Sequence, residues 1–304
     1  MTSGRAHCLG SLRSRLFVSL LCALGWGGCG WEPQQERSNE PTSADAAQDE
    51  GALPRSYVAP YFGADPLGVD GPVIDGVLDD PHWALAKWSA DHVDIEGVDG
   101  PAPRHRTRTK IGWDDEALYV AAEMEEPHLW AEMTEHDSVI WHEDDFEIFV
   151  DPDGDREQYL EVEINALGTI FDLRLERTYI DGGPAVHDWS WAGMRSAVAL
   201  RGTLNDPRDV DEGWSVEFAL PWTAIIDSAG DMALPPEPGD VWRLNFSRVD
   251  WPLEVRDGRY VKVDGAAESN WVWSPQGAIN MHLPEHWGFV RFDRADESGS
   301  PVDD

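Results

Sequence analysis

Apolar residues occupy every second position in a series of short segments between residues 57 and 294. In one of them Phe146, Ile148 and Val150 alternate with Asp145 and Glu147. A period of two places neighbouring side chains on opposite faces of a β-strand. Glycine- and proline-containing turns separate the segments, which include 117–124, 146–150, 160–164, 171–175, 214–220 and 242–246. The sequence therefore predicts one all-β domain, 57–294, folded as an antiparallel two-sheet β-sandwich of jelly-roll type.

One segment, residues 80–88, has features of a helix. Asp80 is suited to the N-cap, Pro81 to the first turn, and Trp83 to a position facing the core. We therefore expect one or two short helices beside the sheets. Trp214 and Trp242 lie on the apolar faces of predicted strands, so these two residues and Trp83 are expected in the core.

The chain is strongly acidic, with 58 Asp and Glu against 23 Lys and Arg and a net charge of −35. Such a chain repels phosphate backbones, which argues against a nucleic-acid partner. Hydrophobic residues still make up 41% of the sequence, enough for a folded core. The 16 Trp residues also suit a protein that holds flat apolar ligand surfaces.

The N-terminal segment predicts export. Residues 1–28 contain three Arg, no acid and an apolar run at 16–26, which is typical of a signal peptide. Cys29 follows two glycines and resembles the lipidated cysteine of bacterial lipoproteins, although an ordinary signal peptide cut nearby is the alternative. We expect a flexible acidic tether at 29–56, a disordered tail at 295–304, and a lipid anchor in the outer membrane or at the cell surface. That anchor would be the only membrane contact.

The ordered motifs of the predicted domain resemble carbohydrate-binding module family 9. The resemblance covers most of the stretch from 73 to 292. It rests on VIDGVLDDPHW (73–83), WDDEALYV (113–120), DDFEIFVDPDGD (144–155), YLEVEIN (159–165), GWSVEFALPW (213–222), GDVWRLNF (239–246) and PEHWG (284–288). The family implies a sugar-binding β-sandwich with structural calcium, which in its best-known members binds the reducing ends of glucans.

The resemblance also implies a site in which two Trp side chains clamp one sugar. Trp141 precedes Glu147 by six residues, and Asn270 precedes Trp273 by three, as the family pattern leads one to expect. Trp271 is the alternative second Trp. The expected partners are mono- or oligosaccharides and polysaccharide ends, in polysaccharide capture or catabolism.

Strand alternation predicts a polar surface that could form the floor of this site. Charged and amide side chains alternate with the apolar rows of three strands, and Arg174 is the basic one among them. If the strands are neighbours, these groups would share one face and hydrogen-bond sugar hydroxyls. The alternative is an ordinary solvated sheet face. The residues are Glu147, Glu161, Glu163, Asn165, Asp172 and Arg174.

Three acids at alternating positions, Asp151, Asp153 and Asp155, suggest a calcium site. The spacing does not match an EF-hand, since Gly154 is fourth in the loop and Val162 takes the twelfth position. A hairpin turn with incidental acids is the alternative interpretation.

Three functions remain open from the sequence, beside a scaffold whose sugar site has decayed. Non-catalytic sugar binding is favoured, because the predicted sandwich fills residues 57–294. A glycoside hydrolase could use Glu147 with Glu161 or Glu163 as its paired carboxylates. A haem-binding or electron-transfer sandwich of the wider group would need axial ligands, and no spacing singles out a pair among Met124, Met133, His136, Met281 and His282.

Overall fold

A computed structural model describes residues 54–63 and 71–294. The predicted signal peptide, Cys29, nearly all of the predicted tether and the predicted tail lie outside these residues. No helix within the described ranges is both long and apolar enough to cross a membrane.

The described chain is built from fifteen β-strands and short turns of 3₁₀ helix. The strands are β1 (Ser56–Pro60), β2 (Val93–Asp94), β3 (Thr107–Trp113), β4 (Ala117–Glu125), β5 (Asp145–Asp151), β6 (Glu157–Asn165), β7 (Ile170–Arg177), β8 (Ala185–Val186), β9 (Arg195–Arg201), β10 (Gly213–Pro221), β11 (Val241–Asp250), β12 (Leu253–Arg256), β13 (Arg259–Lys262), β14 (Ser269–Val272) and β15 (Gly288–Asp293).

The strands form two main sheets and a separate hairpin. The larger sheet has the order β1-β15-β11-β5-β6-β7-β8, and β14 also pairs with β11 and carries β2 at its other edge. The smaller sheet has the order β3-β4-β10-β9, while β12 and β13 form the hairpin. Within the described residues, the strand pairs are antiparallel except for β1 and β15.

The main core lies between the two sheets. Phe146, Ile148 and Val150 of β5 belong to the same buried cluster as Val120 of β4 and Phe218 of β10. Burying one such side chain contributes about 1.5–3 kcal/mol, so the alternating rows account for the pairing of the sheets. The predicted all-β sandwich is confirmed.

The predicted helix is present only as one 3₁₀ turn, Pro81–Ala84. Asp80 caps it as expected, since its Oδ1 accepts a hydrogen bond of 3.1 Å from the His82 backbone N–H. Trp83 is buried, and its Nε1 donates to Glu217 Oε1 at 2.6 Å. Trp214 and Trp242 are also buried, as predicted. Further 3₁₀ turns lie at Ile140–His142, Trp222–Ala224, Ile226–Ser228 and Pro284–His286.

The second face of the larger sheet carries an apolar cluster of its own, separate from the main core. We call it the outer cluster, and its buried members are Ile95, Ile140, Phe149, Tyr159, Phe171, Leu173, Leu175, Val272, Met281 and Trp287. Strand β7 contributes its whole apolar row to this cluster. The outer face is therefore largely buried rather than solvated.

The orientation of β7 corrects the predicted polar floor. In the β6–β7 register Val162 pairs with Asp172 and Leu160 with Arg174, so both polar residues lie on the face that carries the main core. Asp172 Oδ2 accepts a hydrogen bond of 2.6 Å from the Trp191 N–H, and Arg174 pairs with Glu176 at 2.7 Å. Arg174 and Asp172 therefore do not share a face with the glutamates. The prediction is wrong because both faces of this strand carry buried side chains.

Candidate functional site

The outer face of the larger sheet opens into a cavity of about 640 Å³. Its wall includes Val139, Trp141, Tyr179 and Ile279, which are apolar or aromatic side chains left exposed to solvent. Exposed apolar groups gathered around a concavity are typical of ligand sites. These side chains give the cavity an apolar rim.

Carboxylates of β5 and β6 form the floor of the cavity. Glu147 pairs directly with Glu163, and Glu161 pairs with Phe149, so all these side chains point to the outer face. Glu147, Glu161 and Glu163 line the cavity and are buried, while Asp145 lies on the same face of β5 and is fully buried. In this register the three glutamates lie on one face of the sheet, which is the arrangement that strand alternation predicted.

Burial changes the protonation of this floor. Loss of solvation raises the pKa of Glu147 to about 7, and burial together with the nearby Glu147 raises the pKa of Glu161 to about 8. Burial and then repulsion from neighbouring carboxylates raise the pKa values of Asp145 and Glu163 well above their ordinary range. The floor therefore resists carrying four negative charges at once.

A loop before β5 positions Trp141 at the rim. Ile140 is buried in the outer cluster and anchors the 3₁₀ turn Ile140–His142, whereas the Trp141 side chain is 39% exposed. The Trp141 backbone carbonyl accepts a hydrogen bond of 3.1 Å from Trp251 Nε1. The ring is thus held at the cavity mouth and remains accessible.

Asn165, predicted as a possible sugar ligand, holds this loop instead. Its Nδ2 donates to the Met133 carbonyl at 2.9 Å and to Glu143 Oε2 at 3.2 Å, and its Oδ1 accepts from Leu167 and Thr169 N–H. The side chain is buried and does not line the cavity. Its hydrogen-bonding capacity is used within the protein, which corrects the prediction.

Asn270 and Trp273, predicted to form the second side of the clamp, lie on opposite faces of the larger sheet. Asn270 pairs with Val249, and both line the cavity. Trp273 lies three positions further on, and its side chain is 1% exposed within the main core. An odd spacing along an extended strand favours opposite faces, so Asn270 and Trp273 do not meet at one sugar. The prediction for Trp273 is therefore wrong.

Trp271 is also directed away from the cavity. It pairs with Arg248 across β14 and β11, and the Arg248 guanidinium lies 5.0 Å from its ring centroid. Arg248 in turn pairs with Glu126 and Asp250 in a buried network. The alternative second Trp is therefore part of the interior as well.

Tyr179 and His282 form a part of the wall that the sequence did not reveal. Their rings meet edge to face at 4.6 Å, and His282 Nδ1 lies 3.0 Å from the Tyr159 hydroxyl. Burial lowers the pKa of His282 to about 4, so the ring is neutral at ordinary pH. Tyr179 itself is 51% exposed. The loop after β7 thus supplies a second accessible aromatic ring to the cavity.

The loop with Asp151, Asp153 and Asp155 brings three carboxylates to within 4.8 Å of one another. Oxygen ligands of this kind suit Ca²⁺. Several of their oxygens already accept backbone hydrogen bonds, as in Gly154 N–H to Asp151 Oδ1 at 3.0 Å and Glu157 N–H to Asp155 Oδ1 at 2.7 Å. The arrangement fits a turn as well as an ion, and calcium in this loop stays a prediction.

The candidate haem ligands are dispersed among the described residues. Met281 and His282 line the cavity, Met124 is buried in the main core, and His136 is exposed. Met133 packs against the outer cluster. The five residues therefore lie in several different surroundings.

The fold and the cavity define a ligand-binding β-sandwich domain. Residues 74–235, more than half of the chain, match the family described as carbohydrate family 9 binding domain-like. The chain belongs to this family, as its ordered motifs predicted.

Two polysaccharide-degrading enzymes each match about half of the chain. The chain is 29% identical over 154 residues to exoglucanase XynX of Acetivibrio thermocellus, covering 51% of this chain and 12% of that enzyme. It is 30% identical over 161 residues to endo-1,4-beta-xylanase A of Thermoanaerobacterium saccharolyticum, covering 52% of this chain and 12% of that enzyme. The chain thus spans a small part of the length of these relatives.

Solved structures share the fold. A carbohydrate binding module family 9 from Caldicellulosiruptor kristjanssonii in complex with cellotriose matches with a TM-score of 0.51 at 18% identity, over 82% of this chain and 100% of that chain. A complex of a module from the same organism with glucose also gives 0.51 at 18% identity, over 80% of this chain and 97% of that chain. At this identity the likeness establishes the β-sandwich fold.

Proposed function

We propose that this chain is a non-catalytic carbohydrate-binding protein that holds a neutral saccharide in the cavity. The observation that carries the proposal is the exposed Trp141 ring at the rim, beside a floor of buried carboxylates. Sugar rings present C–H groups on their faces and hydroxyls at their edges. An aromatic rim with a floor of hydrogen-bond acceptors suits both kinds of surface.

The comparisons support a proposal for the class of ligand. The structural neighbours were solved with cellotriose and glucose, and the relatives act as an exoglucanase and a xylanase. We therefore propose a glucan- or xylan-type mono- or oligosaccharide, bound at polysaccharide ends. The role would be polysaccharide capture or catabolism.

In this proposal the clamp differs from the predicted pair of Trp residues. Trp141 provides one stacking surface and Tyr179 the second aromatic ring of the wall. Glu147 accepts hydrogen bonds from sugar hydroxyls, and Asn270 supplies an amide that both donates and accepts. Trp273 packs in the main core and makes no contact with the sugar in this proposal.

Calorimetric titration of the purified protein with glucose, cellobiose, cellotriose and xylobiose tests the proposal. Trp141→Ala is expected to weaken binding at least roughly tenfold, since a lost stacking contact costs about 1.4 kcal/mol or more. Trp88→Ala is a matched control, because this half-buried ring does not line the cavity. It packs against Arg108 of the smaller sheet, whose guanidinium carbon lies 4.1 Å from the ring centroid. Absence of binding to any of these sugars at millimolar concentration would overturn the proposal.

Catalysis is separated from binding by measuring reducing-sugar release from the same ligands. The proposal expects none above background. Release that is lost in Glu147→Gln would instead establish a hydrolase using paired carboxylates. A Soret absorption band after reconstitution with haem would support the electron-transfer alternative.

We further propose that the protein is exported and anchored to the bacterial envelope by a lipid on Cys29. The basic and apolar segment 1–28 followed by this cysteine supports the proposal. Labelled palmitate should be incorporated into the wild type and not into Cys29→Ser. Equal labelling of both chains would exclude Cys29 as the lipidated residue.

A further inference from the structure

Acidic side chains are crowded together at the floor of the cavity. Three acidic side chains line it and a fourth lies beside them on the same face of the sheet, each between 0% and 5% exposed. No Lys or Arg is among the described residues that line the cavity. Carboxylates buried together repel one another unless a cation or protons neutralise them. These residues are Asp145, Glu147, Glu161 and Glu163.

Three of the four converge on one point. Asp145, Glu147 and Glu163 each offer a carboxylate oxygen, and these oxygens lie within 4.8 Å of one another. Two Ca²⁺–oxygen bonds of about 2.3–2.6 Å span up to about 5 Å. The separation is therefore one that a single Ca²⁺ ion can bridge.

Unpartnered oxygens provide a second, independent observation. Asp145 Oδ1 accepts a hydrogen bond of 3.3 Å from the Val249 N–H, but Asp145 Oδ2 has no donor among the described residues. Glu163 Oε2 is likewise buried there without a donor. Buried polar atoms of native proteins are nearly always satisfied, so these oxygens indicate a ligand.

The loop at 151–155 is different in this respect. Both oxygens of Asp151 accept backbone hydrogen bonds, from Gly154 at 3.0 Å and Arg156 at 3.1 Å. Its carboxylates are therefore used in closing a turn. The unpartnered oxygens in the cavity floor are the ones free to coordinate an ion.

We propose that Asp145, Glu147 and Glu163 bind one Ca²⁺ ion at the floor of the cavity. Ca²⁺ is a hard cation that takes about 6–8 oxygen ligands, so three carboxylates leave positions open on the side of the cavity. The ion would neutralise the shared charge of the floor. This site goes beyond the proposed sugar binding and stands without it.

The test uses the metal alone. Protein freed of metal with EDTA and then exchanged into buffer at pH 8 is titrated with CaCl₂ in a calorimeter. We expect saturable binding at one cavity site in the wild type and at least tenfold weaker binding in Glu163→Gln. One millimolar Ca²⁺ should also raise the melting temperature of the wild type by roughly 5 °C, and that shift should be lost in the variant.

Asp153→Asn is the matched control, since it removes one carboxylate from the loop and none from the cavity floor. We expect it to retain the cavity-site affinity and the melting shift. Absence of both in the wild type would overturn the proposal, and so would their loss in Asp153→Asn but not in Glu163→Gln. A Glu163→Gln variant that melts in EDTA at or above the wild-type temperature shows that loss of binding is not loss of folding.

Sugar titrations run separately keep the two proposals distinguishable. Ca²⁺ binding without sugar binding would leave the ion site standing and overturn the proposed function. Sugar binding that persists in EDTA, with no Ca²⁺ binding at all, would leave the proposed function standing and overturn the ion site.

Discussion

Asn165 donates a hydrogen bond of 3.2 Å from Nδ2 to Oε2 of Glu143. This contact joins the end of β6, which carries the floor of the cavity, to the loop that carries Trp141. Glu143 also accepts hydrogen bonds from the backbone N–H groups of Glu132 and Met133, at 2.9 and 3.0 Å. Floor and rim are thus tied together by buried hydrogen bonds rather than by the main core.

Asn165→Ala should therefore loosen the rim. It leaves buried groups unpaired, which is expected to cost about 2–3 kcal/mol of unfolding free energy. It should also weaken sugar binding severalfold and speed amide exchange at Met133. Asn245→Ala is the control, because the Asn245 amide donates to the Ser274 carbonyl at 2.8 Å, away from this loop. Equal sugar affinities for Asn165→Ala and the wild type would contradict this role.

Truncation of Trp273 should destabilise the protein far more than truncation of Trp141. Trp273→Ala removes a buried ring from the main core and is expected to lower the unfolding free energy by about 3–5 kcal/mol. Trp141→Ala should change it by less than about 1 kcal/mol, because the side chain is largely at the surface. Urea unfolding checks both values. A small loss for Trp273→Ala would mean that its ring does not pack between the sheets.

Tyr179 should contribute through its ring rather than its hydroxyl. Tyr179→Phe is expected to bind sugar within about twofold of the wild type, whereas Tyr179→Ala should be weaker by roughly tenfold, or about 1.4 kcal/mol. The same calorimetric titration measures both. Equal losses in the two variants would assign the contact to the hydroxyl instead.

His92 should make the protein less stable in acid. Burial lowers the pKa of His92 to about 3, below its ordinary value of 6.5. Below pH 6.5 the unfolded chain binds a proton that the folded state does not, so stability from this group falls as pH falls towards 3. The slope is about 1.4 kcal/mol per pH unit.

His92→Gln should remove this contribution. Relative to the variant, the wild type should lose about 2–3 kcal/mol of unfolding free energy between pH 6.5 and 4.5. Denaturant unfolding at the two pH values measures the difference. His286→Gln, at an exposed position, is the control and should follow the wild type. A constant difference between wild type and His92→Gln would show that His92 does not titrate in this way.

The alternation of apolar residues predicted the sandwich, because one side of each long strand must be buried between two sheets. It also placed Glu147, Glu161 and Glu163 together, since β5 and β6 are joined by a short turn that keeps them neighbours. It failed for Arg174, because a strand buried on both faces gives no sign of which row meets the main core.

Long-range packing was beyond the sequence. Tyr179 and His282 are more than 100 residues apart and meet only through folding. The available signal for this wall was the aromatic and apolar pair Tyr179 and Ile180 just before a glycine-rich turn. For Trp271 and Trp273, strict alternation from Asn270 favoured the interior for Trp273, but it could not by itself show that Trp271 would stack beneath Arg248.

Substitutions in the outer cluster can reshape the cavity without disturbing the main core. Phe171 and Leu173 shape the cavity wall, yet they pack in a group apart from the residues that hold the two sheets together. Replacing them alters the space offered to a ligand while the sandwich keeps its own interior. Ligand preference can therefore diverge by a few substitutions without loss of the fold, and the same separation gives a designer a cavity to reshape on an unchanged scaffold.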